Sequence, residues 1–421
     1  MSRRPARALT WLVVAEAVSL AGSRVTFVAV PWLVLETTGS AAQTGVVAFA
    51  EMVPYVAACA LGGPLIDRRG PRRTSIVSDL ASAVAVLVVP LLHSAGMLPL
   101  AVLAAAMAVA GGLRGLGDTA KRTLFPRAVE ESQVDLTRAT GIRDGSTRLA
   151  EMLGAPLGGL LIAGIGAANV LLIDAASFAL TAAVVAVGVR LRTVAVTAEG
   201  GDQEPYGAAL RAGFAHLRRD PMIFGMVLMA LATNLLDTAY LAVYVPVWAH
   251  DVVGSAQALG LVFGAFGVGA VTGNLLFNAF APRLPRYATF SVCFVLGGAP
   301  QMLVMAVTDS LALVVTTVFV SGLFCAPVNP ILAAVAYERI PPGLHARVIG
   351  LVRAVSWAGI PLGGLLGGLL VAGLGLTTAL GLTGALYLAV SLVPFVRPTW
   401  REMDVPRRER AARPGSAVPA H

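Results

Sequence analysis

Gly63-Pro64-Leu65-Ile66-Asp67-Arg68-Arg69-Gly70-Pro71-Arg72-Arg73 is the stretch on which the reading of this chain turns. One acid and four arginines stand here between two apolar runs. Each run is long enough to cross a bilayer, which takes about 20 residues. Charge is expensive in hydrocarbon, about 3 kcal/mol or more per side chain at the centre of a helix. The knot therefore lies outside the membrane, as a tight turn between two spanning helices.

Outward from this turn the same alternation fills the chain. Of its 421 residues 57% are hydrophobic and only 13% charged, where a soluble domain carries about 25%; the mean hydropathy is +0.79. Twelve apolar runs emerge, near 9–34, 43–65, 74–93, 97–117, 146–165, 167–189, 222–247, 257–280, 288–308, 310–334, 350–372 and 377–396. This predicts an all-α integral membrane protein of twelve transmembrane helices. Basic residues gather in the joints after the even-numbered spans, at Arg68 to Arg73, Lys121 to Arg143, Arg190 to Arg219, Arg283 and Arg286, and Arg339 and Arg347. The odd joints hold no lysine or arginine. Such asymmetry places basic loops in the cytoplasm, so both termini and the central joint are expected there. The net charge of +8 is thus a topology signal and not a nucleic-acid face. The apolar run after Arg7 is too long for a secretion signal, and it counts as span 1. Arginine almost replaces lysine (Lys121 stands alone), which suggests a bacterial source and its cytoplasmic membrane.

The two halves repeat. Pro31, Gly39, Ser40, Ala41, Gly45 and Val47 return 215 residues on as Pro246, Gly254, Ser255, Ala256, Gly260 and Val262. Gly145, Arg148, Gly154 and Pro156-Leu-Gly158-Gly159-Leu-Leu161 return 205 residues on as Gly350, Arg353, Gly359 and Pro361-Leu-Gly363-Gly364-Leu-Leu366. The architecture is therefore two parallel six-helix repeats, 1–189 and 221–396, an arrangement that puts a transport site near the midplane between them. Residues 190–220 form a linker. Leu210, Phe214 and Leu217 recur there at helical spacing beside arginines, the pattern of a helix lying on the membrane surface. Residues 397–421 read as a basic, disordered cytoplasmic tail. The glycine-rich repeats Gly154, Pro156, Gly158, Gly159, Pro361, Gly363 and Gly364 suit close helix packing, because small residues let backbones approach in lipid.

Ionisable residues within spans are costly and mark function by default. They include Glu16 and Arg24 in span 1, Glu51 in span 2, Asp79 in span 3, Arg114 in span 4, Asp174 in span 6 and Asp237 in span 7. Arg24 and Asp237 lie at similar depth on repeat-equivalent helices, which suggests an ion pair or a shared cavity, with Glu51 the rival partner. Asp237, Glu51, Glu16 and Arg24 are therefore the proton-coupling candidates. Asn234, Tyr240 and Tyr244 share span 7 with Asp237, and with Arg114 and Asn329 they are the substrate-cavity candidates. Asp79 and Asp174 read as structural.

The turn of the opening stretch resembles the loop signature between the second and third helices of the major facilitator superfamily, and it falls at that junction here. The resemblance implies that Gly63, Asp67, Arg68, Gly70, Arg72 and Arg73 form a gate held against the start of span 11 while the transporter faces outward. Gly154-Ala-Pro156-Leu-Gly158-Gly159 is similar to a span-5 motif of family antiporters that seals the cavity, with the proline displaced by one place. Val18-Ser-Leu-Ala-Gly-Ser-Arg24, Asp174-Ala-Ala-Ser-Phe178 and Glu338-Arg-Ile-Pro-Pro342 resemble the branch of enterobactin exporters and macrolide efflux proteins. That branch carries an acid where this chain has Ser23.

The combined expectation is a proton-driven exporter of small amphipathic molecules, monomeric in the lipid bilayer, with importer, facilitator or non-transporting scaffold as alternatives. His93, His216, His250, His345 and His421 form no metal or catalytic pattern, and no phosphate-binding loop is present. Neither ATP, metal, cofactor nor enzymatic activity is expected. Cys59, Cys293 and Cys325 lie in apolar runs without ligand or disulfide spacing.

Overall fold

The structure, a computed structural model, describes residues 4–189, 214–215, 217–340 and 345–404. Among the described residues twelve helices are long and apolar enough to cross a membrane. They are span 1 (Arg7–Thr38), span 2 (Ala41–Leu61), span 3 (Pro71–Ser94), span 4 (Leu100–Ser132), span 5 (Arg138–Ile165) and span 6 (Ala167–Gly188). Span 7 (Pro221–Val253), span 8 (Ala256–Phe280), span 9 (Arg286–Val307), span 10 (Leu311–Arg339), span 11 (Val348–Leu374) and span 12 (Leu376–Val396) follow. In lipid a helix satisfies its own backbone, and every run expected from the sequence becomes one.

Three spans depart from a plain α-helix. Span 7 carries π-helical turns at Tyr240–Tyr244 and Trp248–Val253. There the amide of Val245 donates to the carbonyl of Tyr240, five residues back. Pro246 lies between the two turns; it lacks the amide an α-ladder needs. Span 10 breaks between Leu311–Cys325 and Val328–Arg339, and span 11 between His345–Trp357 and Gly359–Leu374.

Two expectations are corrected. The joint read from Lys121 to Arg143 is mostly helix: span 4 runs on to Ser132, Gln133 turns with a positive φ, and Asp135 caps the next helix. The extension forms because Leu124, Phe125, Ala128 and Val129 make one apolar face, buried on Leu9, Leu12, Val13, Val185 and Val189. The tail after span 12 is not wholly unstructured. Pro398–Asp404 forms 3₁₀ turns with Trp400 and Met403 buried. Of the surface helix expected near 210–219, Phe214, Ala215 and Leu217–Arg219 are helical, and Leu217 is buried with Ile223, Val227, Ile340 and Val348; the remaining linker positions lie outside the described residues, as does the tail beyond Asp404.

Packing divides the described chain into two compact units that cut across the sequence halves. The first takes the residues up to 189 with Asp237–Gly267 and Ile360–Ala379; the second takes the described residues from 214 to Leu236, Val268–Gly359 and Leu380 onward. Segments of spans 7, 8 and 11 thus pack with the first repeat. Glycine explains the attachment. A Cβ on Gly159 of span 5 would fall 2.6 Å from the Cα of Gly260 in span 8, and one on Gly45 of span 2 would fall 2.5 Å from the carbonyl of Gly364 in span 11. Both seams lie toward the ends of their spans remote from the chain termini.

In the second unit the 3₁₀ turns act as a clasp. Trp400 stacks on Phe290 of span 9 at 5.6 Å, nearly parallel, and lies beneath Gly225 of span 7. Arg339, at the end of span 10, bonds Asp220 before span 7 at 2.7 Å and Glu402 at 3.0 Å. The amide of Tyr287 donates to Asp404. Arg286, whose loop lacks the acid of its first-half counterpart, finds one in Glu338 at 2.8 Å.

Candidate functional site

The first unit gathers most of the intramembrane charge. Glu51 pairs with Arg114 at 2.9 Å, both largely buried. Span 4 approaches span 2 this closely because Gly111 faces the backbone of Glu51 and Gly115 that of Tyr55. Glu51 is therefore not the partner of Arg24, and Arg114 is an ion-pair member before it is a cavity residue. The Arg114 guanidinium also lies 4.7 Å over the Tyr55 ring. Glu16 is held by Arg143 through two bonds of 2.6 and 2.8 Å, with Arg143 stacked on Phe125. Arg24 packs its stem against Gly154.

Asp237 stands apart. It sits where the α-helical part of span 7 approaches the π-helical part, half-buried. Among the described residues no cation lies within ion-pair distance of it. The expected pairing with Arg24 is not formed. Tyr240 and Tyr244, expected to line an open cavity, are fully enclosed, because the π-turn carrying them packs onto spans 1 and 2 and Gly367 of span 11 closes on Tyr244. Among the described residues, Tyr240 Oη and Trp248 Nε1 are buried donors without an acceptor. Asn234 donates to the carbonyl of Ser356 at 2.8 Å, next to the break in span 11. Asn329 is exposed just beyond the break in span 10.

Sequence reasoning missed Lys121. Placed in a loop by its charge, it is 1% exposed, bonded to Asp79 at 3.0 Å and to Ser19. The available signal was its being the only lysine, with Asp118 one helical turn before it. Asp174 is buried and accepts hydrogen bonds from Thr26 and Ser177, tying span 6 to span 1.

In the turn of the opening stretch, Gly63–Arg69 is a short helix and Gly70 takes a φ of 80°, a conformation that suits glycine. Arg72 donates to the carbonyl of Ala186 in span 6. Gly63 faces open space. Asp67, Arg68 and Arg73 are exposed, and among the described residues they form no ion pair. The seal glycines have identified neighbours: Gly158 rests on Val25, Pro156 on Gly264, and Gly364 on Ala48, while Pro361 and Gly363 are buried. At the remote end of the unit, Trp32 bonds Glu36 at 2.7 Å and meets the ring of His250, which pairs with Asp251.

Twelve membrane helices in two sequence repeats, with charged side chains buried at mid-span, define a polytopic membrane transporter. The chain belongs to the Major Facilitator Superfamily, whose family model matches residues 12–254 and 230–419. It is 31% identical to the multidrug efflux pump Tap of Mycobacterium tuberculosis, over 96% of this chain and 97% of that protein. It is 22% identical to macrolide efflux protein A of Streptococcus pyogenes, over 93% and 96% of the two chains. Among solved structures it superposes on nucleoside transporter NupG with a TM-score of 0.73, at 14% identity, covering 92% of this chain and 98% of that one. This last likeness concerns the fold.

Proposed function

We propose that the protein exports small amphipathic molecules, such as an antibiotic, a siderophore or another metabolite, by proton antiport and alternating access. It acts as a monomer in the bacterial cytoplasmic membrane, with both termini inside, and draws on the proton gradient without a cofactor. The observation that carries this reading is Asp237. A carboxylate half-buried in a span, with no cation at ion-pair distance among the described residues, is costly to keep unless it works. Its place at the start of the π-turns adds support, since π-bulges recur at functional sites. The efflux relatives support the direction, and the alternation of basic joints supports the orientation.

The test is uptake into inside-out vesicles from a panel of fluorescent and radiolabelled drugs under an imposed pH gradient. Wild-type vesicles accumulate at least one compound, and a protonophore abolishes the accumulation. Asp237→Asn reduces it to the protonophore level. Asp67→Asn reduces it too, if the turn between spans 2 and 3 gates the cycle. Wild-type accumulation that ignores the gradient would sink the antiport mechanism and leave a facilitator or importer.

A further inference from the structure

Below Glu51, contacts between polar side chains continue down span 4. Arg114, Asp118 and Lys121 recur at i, i+4 and i+7 and so share one face of the helix. Arg114, paired with Glu51, lies over the ring of Tyr55. The Tyr55 hydroxyl donates to Asp118 Oδ2 at 3.4 Å. Lys121 Nζ stands 3.6 Å from Asp118 Oδ1 and 3.0 Å from Asp79 Oδ1, and Ser75 donates to the far oxygen of Asp79.

The charges in this chain do not balance. Arg114 has its one close contact with Glu51 and acts on Asp118 and Asp174 only at longer range, while one ammonium, Lys121, faces two carboxylates, so acids outnumber bases along this chain of contacts. Carboxylates that share a site do not both ionise cheaply. Asp79 has the shorter bond to Lys121, the Ser75 hydroxyl and almost no exposure; Asp118 has the longer contact and 28% of its side chain accessible. The surplus negative charge therefore falls on Asp118, the one of the two that a proton can reach. The surroundings do not cancel it. Glu16 is neutralised by Arg143, and Asp174 is held by hydroxyls. Arg122, near Tyr55, is exposed, and Cys59 is turned to the Gly115 carbonyl.

We infer that Asp118 is a proton-loading site of this transporter, an inference that rests on the antiport reading for its role in transport. A hydronium ion gives its proton to a carboxylate oxygen of Asp118: one O–H bond forms on the carboxyl, one O–H bond of hydronium breaks, and water is released. Lys121 is then left wholly to Asp79, and the Tyr55 hydroxyl loses its anionic acceptor while still packed under Arg114. The Glu51–Arg114 pair thereby registers the loading of a site one helical turn away.

Infrared difference spectroscopy tests this on the full chain in liposomes of phosphatidylethanolamine and phosphatidylglycerol, titrated from mildly alkaline to mildly acidic pH. Wild type gains a carbonyl band of a protonated carboxyl group. Asp118→Asn loses one carboxyl's share of that band and Asp118→Glu restores it. Lys121→Met, with Asp118 intact, displaces the titration midpoint, which a merely structural role would not do. An undiminished band in Asp118→Asn, or an unmoved midpoint in Lys121→Met, overturns the inference. The same liposomes loaded with ethidium under a pH gradient separate the two readings. Gradient-independent ethidium flux in wild type counts against antiport, while the band still decides whether Asp118 takes the proton.

Discussion

Glu51 and Arg114 hold each other's charge inside the membrane, and the energetics of such a pair are lopsided. Breaking a buried pair by removing one partner costs about 3–5 kcal/mol, because the survivor is left uncompensated, whereas removing both is often nearly neutral. Arg114→Met is therefore expected to lower the thermal stability of the purified protein sharply, and Glu51→Gln/Arg114→Met to regain most of the loss. A double variant as unstable as the two single losses added together would contradict the pairing. The acids and bases of the spans were visible in the sequence, since each interrupts an apolar run. Their partners were not. Arg114 reaches Glu51 only because Gly111 and Gly115 bring two helices together, and Lys121 reads as a loop residue until Asp79 of another helix compensates it.

Helices as units were far more legible than their details. An apolar run of bilayer length is a strong signal, so all twelve spans stood where expected. The π-turns of span 7 and the breaks near Pro327 and Ala358 were not foreseen. They depend on which carbonyls neighbouring helices satisfy, as Asn234 does for Ser356. The clasp after span 12 was missed for a related reason: its composition is that of a tail, and what binds it to the bundle is the buried Trp400 and Met403 with the contacts that Glu402 and Asp404 make to other helices. Truncation after Arg397, or Trp400→Ala, should cost about 3–5 kcal/mol, the usual loss for a buried aromatic residue. Heating purified variants and measuring the monodisperse fraction checks this; melting of Trp400→Ala at the wild-type temperature would mean the clasp adds nothing.

Across the whole molecule the two glycine seams form a matched set. Gly45 and Gly260 are repeat equivalents, as are Gly159 and Gly364. Gly45 meets Gly364, and Gly260 meets Gly159, so one contact is made twice with the halves exchanging roles. The repeats foretold which glycines correspond but not that they touch crosswise, because an offset along the chain carries no information about which helices adjoin. Gly45→Leu and Gly260→Leu should each cost about 1–3 kcal/mol through overpacking and should weaken drug accumulation to a similar extent. A large loss from one and none from the other would show that the seams are not equivalent.

Such a crosswise contact bears on inheritance. When a gene encoding six helices was doubled and fused, a surface that once joined two copies of one protein became two surfaces within a single chain. Each is then free to drift, provided its opposite residue drifts with it. Substitutions at these glycines should thus arise in linked couples across the seam, Gly45 with Gly364 and Gly260 with Gly159, and not between the positions that descend from the same ancestral codon.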